Sequence, residues 1–391
     1  MSKTMPEMRF DGFSGDWEEK ILGDISKVYD GTHQTPQYTN SGVSFISVEN
    51  INDIYNSSKY ISEEDFQKEF KINAKKGDIF MTRITAGVIG STAIVKNDIS
   101  LAYYVSLALL KPNFDLIETL FLNANMQSIY FKKELNRRII HTAFPKKINL
   151  GDISKCKISH TDLEEQRKIG VFFKQLDDTI ALQQQLVEQQ QQYKTAMLQK
   201  MFPQKGERVP KVRFDGFSGD WEEKKLSDLA QRFNNLRVPI TASERVSGTT
   251  PYYGANGIQD YVDGFTHEGE FILVAEDGAN DLRNYPVKYV SGKIWVNNHA
   301  HVLSAIGNIA DKTFLVQAFQ NINIEPYLVG GSRAKLNSDV LMKLEFLTPI
   351  IDEQQKIGAF FKQLDDTIAL HEKKLEDYQQ LKKALLQRMF V

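Results

Sequence analysis

The stretch EEQRKIGVFFKQLDDTIAL at residues 164–182 returns almost unchanged as DEQQKIGAFFKQLDDTIAL at residues 352–370, which is 188 positions later. The stretch AMLQKMF at residues 196–202 is matched by ALLQRMF at residues 384–390 with the same offset. A fixed offset maintained over this length indicates an internal repeat. We therefore interpret the chain as two copies of one structural unit.

Each copy of this stretch predicts one long helix. Residues 171–202 and 359–391 contain neither Gly nor Pro, and strong helix formers dominate both segments. Apolar residues recur three and four positions apart, which predicts one apolar face on each helix. The residues assigned to these faces are Ile169, Phe172, Phe173, Leu176 and Ile180 in the first copy, and Ile357, Phe360, Phe361, Leu364 and Ile368 in the second.

Each helix would be about 40 residues and roughly 60 Å long, and its apolar face requires a partner. We predict that the two helices pair within the chain as an antiparallel coiled coil. Two alternatives are that each helix packs on its own domain, or that the helices pair between chains.

A second repeat sets the domain organisation. The segment RFDGFSGDWEEK at residues 9–20, here called the arm, recurs letter for letter at residues 213–224. The order is arm, variable block and long helix, twice. We predict the first arm and variable domain at 1–160, a long helix at 161–203, a linker with the second arm at 204–226, a second variable domain at 227–350 and the last long helix at 351–391. Arg9 and Arg213 of the arms are either structural ties or phosphate contacts.

Composition limits the possible classes of protein. The 391 residues are 41% hydrophobic with a net charge of −2, so any nucleic-acid binding would depend on local basic patches. A single cysteine, Cys156, excludes an internal disulfide framework and fits a reducing cytoplasm. The sequence shows neither a secretory leader nor a stretch long and apolar enough to span a membrane.

The chain lacks the motifs of common catalytic sites. No phosphate-binding GxxxxGK[ST] loop, HExxH zinc motif, paired CxxC or GxGxxG dinucleotide fingerprint occurs. The Asn-Pro-Pro-aromatic motif of base methylation is also missing. We therefore predict no catalytic and no metal-binding residues, and a protein that positions chemistry performed by its partners.

The two variable blocks differ strongly in sequence. In the first, residues 43–48, 79–81, 87–95 and 101–110 predict strands of one sheet, and residues 116–140 predict a helix. Each block ends in a short basic loop before its long helix, FPKKINL at 144–150 and GGSRAKLN at 330–337.

The repeats resemble the conserved regions of the specificity subunit of type I restriction–modification enzymes. The resemblance is carried by PEMRFDGFSGDWEEKIL at 6–22, PKVRFDGFSGDWEEKKL at 210–226 and the two helix-opening stretches. It implies an α+β fold in which two α/β target-recognition domains are separated by two long antiparallel coiled-coil helices, with a pseudo-twofold internal repeat. Each domain would read one half of a bipartite, gapped DNA site.

The resemblance also implies partners and cofactors. Besides double-stranded DNA, the chain would bind two modification subunits, which carry S-adenosylmethionine and methylate one adenine in each half-site. Two restriction subunits would use ATP and Mg²⁺ to translocate and cut unmodified DNA. This chain would hold no cofactor itself.

Residue chemistry suggests which positions contact DNA. Lys and Arg can hold phosphates, and Asn can bridge adenine edges in the major groove. Our candidates for the phosphate backbone are Lys146, Lys147, Arg333 and Lys335. Our candidates for base reading are Thr82, Arg83 and Thr85 in the first block and Asn280, Arg283, Asn297 and Asn298 in the second.

Two other functional classes fit parts of the sequence. A coiled-coil scaffold that holds two non-nucleic-acid ligand-binding domains would show the same repeats, and only the family resemblance separates it from a DNA reader. A self-sufficient nuclease would need the catalytic motifs that are missing.

Overall fold

A computed structural model describes residues 5–331 and 334–391 and divides into two compact units. The first unit comprises Met1–Gln184 and Lys373–Val391, and the second comprises Gln185–Glu372. Both long helices are divided between the units, so each unit contains one half of each helix. The domain boundaries predicted from the repeats divide the chain into consecutive segments and keep each long helix whole. They remain a prediction.

The first unit contains eleven strands among its described residues, and most are short. They are β1 (Glu18–Ile21), β2 (Ser26–Asp30), β3 (Val43–Ile46), β4 (Tyr60–Ile61), β5 (Ile79–Thr82), β6 (Ile84–Thr85), β7 (Thr92–Ile94), β8 (Leu101–Tyr103), β9 (Leu107–Pro112), β10 (Lys146–Lys147) and β11 (Lys157–His160). The helices are α1 (Leu22–Ile25), α2 (Glu63–Glu69), α3 (Thr119–Gln127), α4 (Ile129–Asn136), α5 (Leu150–Ser154) and the first half of α6 (Leu163–Met201).

The strands of the first variable block form two main sheets and not the single sheet we predicted. One sheet has the order β2-β9-β5-β7 and the other β4-β3-β8. The amide of Leu107 donates to the carbonyl oxygen of Tyr104 in a turn that separates β8 from β9. The predicted strand at 101–110 is therefore two strands, of which β8 pairs in parallel with β3 and β9 lies between β2 and β5.

The predicted helix at 116–140 is likewise two helices, α3 and α4. Ser128 stands between them with an extended backbone (φ −63°, ψ 156°), and its hydroxyl accepts a hydrogen bond from the amide of Phe131. Ser is a favoured N-cap residue because its side chain satisfies a free amide at the start of a helix. The prediction missed the break because the apolar pattern continues through it.

The second unit is built around one six-stranded sheet with the order β13-β18-β16-β17-β14-β15. The strands of this unit are β12 (Glu222–Lys225), β13 (Ala230–Arg232), β14 (Ser247–Gly254), β15 (Gly257–Val262), β16 (His267–Ala275), β17 (Val287–Val296), β18 (Ala300–Ala305) and β19 (Glu345–Thr348). β12 and β19 pair with each other outside the six-stranded sheet. The helices are the second half of α6, α7 (Leu226–Leu229), α8 (Lys312–Gln320), α9 (Ser338–Leu341) and the first half of α10 (Ile351–Arg388), whose second half belongs to the first unit.

In each unit, a central strand of the main sheet contributes to two cores, one on each face of the sheet. In the second unit, Ile272 of β16 packs with Phe314 of α8, whereas Phe271 and Leu273 point into a separate core on the opposite face. Successive side chains of a strand point to opposite faces, so alternate residues of one strand serve two cores. In the first unit, Met81 and Phe80 of β5 belong to two different cores for the same reason.

The two arms are tied to their units by the same contacts. The Arg9 guanidinium forms a two-bond ion pair with Glu165, with Nε–Oε1 at 2.6 Å and Nη2–Oε2 at 2.7 Å. The equivalent distances between Arg213 and Glu353 are both 2.7 Å. Both carboxylates are fully buried, so these arginines are structural ties.

The paired long helices are confirmed within each unit. Asp177 of α6 pairs with Lys382 of α10 at 2.5 Å in the first unit. Asp365 of α10 pairs with Lys194 of α6 at 2.7 Å in the second. The two aspartates are 188 positions apart, as are the two lysines, so the repeat forms the same interhelical ion pair twice. The early half of one helix meets the late half of the other, as an antiparallel pair requires.

The ten residues assigned to the apolar helix faces are all at least partly covered. Ile169, Phe173, Ile357, Phe361 and Ile368 are buried. The other five, Phe172, Leu176, Ile180, Phe360 and Leu364, are partly buried. Ile169 and Phe173 share a core with Phe121 of α3, so the beginning of α6 packs on its own domain as well as on the other helix.

Glycine at one repeated helical position permits close packing. A Cβ on Gly170 would lie 2.7 Å from the amide nitrogen of Phe121, and one on Gly358 would lie 2.7 Å from the amide nitrogen of Phe314. Real Cβ atoms essentially never approach backbone this closely. The glycine of the repeated KIG sequence is therefore needed where each long helix crosses the shorter helix of its domain.

Candidate nucleic-acid interface

In the first unit, the predicted DNA contacts meet on a small two-stranded ribbon formed by β6 and β10. Lys146 lies opposite Thr85 and Lys147 lies opposite Ile84, in antiparallel register. Both lysines are exposed, and neither forms an ion pair with any residue of 5–331 or 334–391. The structure thus brings together three predicted contacts, Thr85, Lys146 and Lys147, that are about 60 positions apart in sequence.

Arg83 lies beside this ribbon, but the residue is buried, with only 7% of its surface exposed. Its Nη1 donates to Asp30 Oδ1 at 2.6 Å and to the carbonyl oxygen of Val105 at 3.0 Å. Its Nε donates to the carbonyl oxygen of Ile148 at 3.3 Å. The structure therefore gives Arg83 a supporting role. Its side chain is bound within the protein and presents no exposed group that could read a base.

Thr82 is also buried, with 1% of its surface exposed. Its hydroxyl donates to the carbonyl oxygen of Val88 at 2.8 Å and accepts from the amide of Ser91 at 3.0 Å. Thr82 thus holds the loop after β6 and offers no group to a base edge. The sequence could not show this role, because it depends on where the chain folds back.

In the second unit, four segments meet around the loop that follows β16. Glu276 accepts from Arg237 Nη1 at 2.6 Å and lies 3.0 Å from Lys335 Nζ and 3.4 Å from His301 Nδ1. Burial by itself would raise the pKa of Glu276, but the hydrogen bonds from Arg237 and Lys335 bring that pKa below its usual value. The carboxylate is therefore charged at neutral pH and balances part of the charge of Lys335.

The predicted asparagines of this unit lie on the same group of loops. The amide of Asn280 donates to Asn256 Oδ1 at 2.9 Å, and Asn256 Nδ2 donates to the carbonyl oxygen of Gly278 at 2.9 Å. Asn280 and Asn298 are exposed. Asn297 is 4% exposed and accepts from the amide of His299 at 2.8 Å, so it stabilises the turn and presents little surface to a ligand.

The last two predicted DNA contacts of this unit are Arg283 and Arg333. Arg283 is exposed in the loop between β16 and β17, and Arg333 lies outside the described residues. Sequence reasoning missed Arg237 and Asn256, which both help to hold the loop after β16. Asn256 precedes Gly257 in a typical hairpin sequence, Asn-Gly, which was the only available signal.

The described residues contain neither a cluster of metal ligands nor a membrane-spanning helix. No group of three or more His, Cys, Asp or Glu side chains there could hold a metal ion. Within residues 5–331 and 334–391, no helix is long and apolar enough to cross a membrane.

The repeated frame and its two unlike domains can be compared with known proteins. The family model described as type I restriction modification DNA specificity domain matches residues 14–190 and 218–379. The chain belongs to this family. The resemblance deduced from the repeats is therefore confirmed, with one matched segment for each copy of the repeat.

Individual specificity subunits are similar to parts or to all of this chain. A putative type I restriction enzyme specificity subunit of Haemophilus influenzae, S.HindORF215P, is 44% identical over 143 residues, which are 37% of this chain and 36% of that protein. The EcoprrI specificity subunit of Escherichia coli is 29% identical over 116 residues, which are 29% of this chain and 28% of that protein. Each of these matches thus covers about a third of the relative or less.

Longer matches support the specificity-subunit fold. The putative MjaX specificity subunit of Methanocaldococcus jannaschii is 23% identical over 408 aligned positions, which cover 95% of this chain and 92% of that protein. The crystal structure of the type I restriction–modification S subunit from M. genitalium matches with a TM-score of 0.74, 15% identity and 99% coverage of both chains. The predicted fold class, an α+β fold with paired long helices and an internal repeat, is confirmed.

Proposed function

We propose that each variable domain of this specificity subunit reads one half of a bipartite, gapped site in double-stranded DNA. Partner subunits would then methylate adenine in that site or cut DNA that lacks the methylation. The observation that carries this proposal is that one repeated frame supports two different β domains.

The frame has the same contacts in both copies, whereas the two variable domains have different sheets. The ion pairs Arg9–Glu165 and Arg213–Glu353 have nearly the same geometry, as do the interhelical pairs described above. The first domain, in contrast, has sheets of four and three strands, and the second has a single sheet of six. A constant frame suits constant partners, whereas two unlike readers suit two different half-sites.

Exposed residues of the frame support the view that the same partner binds twice. Lys174 and Asp178 form an exposed pair at 2.5 Å on α6, and Lys362 and Asp366 form the same pair at 2.5 Å on α10. Packing does not require such exposed residues to be identical in both copies. The binding of the same partner to both copies would require identical exposed residues. This identity supports two modification subunits on each specificity subunit.

In this proposal the cofactors belong to the partners. Modification subunits would bind S-adenosylmethionine, and two restriction subunits would bind ATP and Mg²⁺ for translocation and cleavage. The specificity subunit would contribute recognition without catalysis. The complex would act on DNA in the cytoplasm.

An exchange of the two variable blocks tests the proposal. The chain and its modification subunit are expressed in a host, and N6-methyladenine is mapped by long-read sequencing. We expect wild type to give one gapped, two-part motif, and the variant with exchanged blocks to give the same halves in exchanged order. An exchanged variant that assembles and still methylates the original motif would rule out two independent readers.

The ribbon lysines give a second expected result. Changing Lys146 and Lys147 together to Ala should weaken binding to specific and random duplexes alike, because phosphate contacts carry no sequence information. The slope of log affinity against log salt should decrease by about 0.9 for each phosphate that the variant no longer neutralises. Equilibrium binding at several salt concentrations measures both effects.

The matched control is the exposed pair Lys75 and Lys76. These lysines precede the start of β5, whereas the ribbon follows the end of β5. Changing Lys75 and Lys76 to Ala removes the same charge and should leave the salt slope of wild type. If both double variants weakened binding equally, net charge would explain the effect and the ribbon would lose its assignment.

A further inference from the structure

The two most exposed large hydrophobic side chains of the described residues lie on the segments that adjoin the ribbon of β6 and β10. Phe144 is 92% exposed and Val88 is 71% exposed. Single exposed apolar residues are common on protein surfaces. Here, however, the two extreme cases both adjoin one ribbon, which also carries two exposed lysines.

The register of the ribbon places Phe144 beyond its end. Lys146 lies opposite Thr85 in antiparallel pairing, and Phe144 precedes Lys146 by two residues. On the partner segment the chain turns back after Thr85, because the Val88 carbonyl oxygen accepts a hydrogen bond from the Thr82 hydroxyl. The result is an aromatic tip on a basic stem, and Val88 lies in the loop that follows β6.

Hydrogen bonds hold the loop after β6 and the base of the ribbon. On one side, the Thr82 hydroxyl donates to the carbonyl oxygen of Val88, and the amide of Gly87 donates to Thr85 Oγ1 at 2.9 Å. On the other, Arg83 binds the carbonyl oxygen of Ile148, and the amide of Ile148 donates to the carbonyl oxygen of Arg83 at 3.0 Å. The buried residues Thr82 and Arg83 therefore support the exposed ones.

We propose that Phe144 enters the DNA as a wedge at a base step of the half-site read by the first unit. Lys146 and Lys147 would hold the adjacent phosphates. Proteins that kink or read DNA insert apolar side chains between bases while basic side chains neutralise the backbone. This inference rests on the proposed function.

Charge favours DNA over a protein as the occupant of this tip. Covering the ribbon with an apolar protein surface would desolvate two ammonium groups that have no carboxylate partner among the described residues. A DNA duplex supplies stacked rings for Phe144 and phosphates for the lysines at the same time. Phe144 and Val88 also lie in the variable block, outside both repeats, as expected for residues that define one half-site.

The test uses the full chain in complex with its modification subunit. The probe is a duplex carrying the motif mapped for wild type, with 2-aminopurine placed in turn at each position of each half-site. Partner subunits that flip an adenine out of the duplex for methylation raise 2-aminopurine fluorescence at that adenine in either half-site. Besides those positions, we expect wild type to increase fluorescence at one further step of one half-site, because the wedge unstacks that base. Phe144→Ala should abolish this signal and weaken binding to the motif duplex by about tenfold, the effect of removing one aromatic side chain that stacks on a base.

Two control variants separate this role from others. Phe144→Trp should retain the fluorescence signal, because an indole ring can also stack. Phe114 is 56% exposed in the same unit and lies next to Asp115, away from any basic ribbon. Phe114→Ala should therefore keep wild-type affinity, and methylation of the half-site read by the second unit should stay selective in every variant.

Several outcomes would overturn the assignment. Wild-type affinity and fluorescence in Phe144→Ala would show that the ring does not contact the DNA. Weaker assembly with the modification subunit at unchanged DNA affinity would place Phe144 in a protein interface. If the wild-type complex methylated no gapped motif, the proposed function itself would fail, and that result is obtained before any variant is made.

Discussion

Replacing Arg9 with Met is expected to destabilise the first unit by about 3–5 kcal/mol, the usual cost of breaking a buried ion pair by removing one partner. Glu165 is fully buried, and Arg9 is 13% exposed, so water cannot replace the missing guanidinium. The substitution would also release the arm, because Arg9 Nη1 donates to the carbonyl oxygen of Gly15 at 2.6 Å. Hydrogen exchange measured by mass spectrometry would report the loss of protection in each unit separately.

The repeat supplies a matched comparison for this result. Arg213→Met removes the same ion pair with Glu353 and should destabilise the second unit instead. The double variant Arg9→Met/Glu165→Met should recover most of the stability, because it leaves no unpaired buried charge. A double variant as unstable as Arg9→Met alone would show that the arm depends on packing, and that the ion pair contributes little.

Replacing Phe390 with Ala should also cost about 3–5 kcal/mol, the range for removing a buried Phe from a core. Phe390 is 1% exposed, and its ring lies 6.0 Å from Trp17 and 5.7 Å from Phe173 between centroids. The penultimate residue of the chain therefore completes the core of the unit that contains the first arm. We expect faster hydrogen exchange in the first unit, measured at α1 and β11.

Phe202 is the control, because it occupies the same place at the end of α6. Its ring lies 5.7 Å from Trp221 and 5.4 Å from Phe314 in the second unit. Phe202→Ala should therefore accelerate exchange in the second unit and leave the first unchanged. If either variant affected only the opposite unit, the antiparallel pairing of the helices would be wrong.

The candidate DNA-contacting residues illustrate what a sequence can and cannot show. Charge and position single out Lys146 and Lys147, and both lie exposed on the ribbon, as a phosphate contact requires. The same grounds single out Arg83, but Asp30, 53 positions away, takes up its guanidinium. Exposure depends on which distant segments fold onto a residue, and local composition carries no information about that.

The sequence by itself determined the repeated frame, the two long helices and the family. Those features depend on periodicity and on identity at a fixed offset, which are properties of order along the chain. Only the tertiary structure decided that residues 101–110 are divided between two sheets, that Phe390 completes the core of the first unit, and that Thr82 and Arg83 support a ribbon with Phe144 at its tip. Each of these features depends on contacts between segments that are distant in sequence. Such contacts form only in the folded chain, so local sequence patterns do not reveal them.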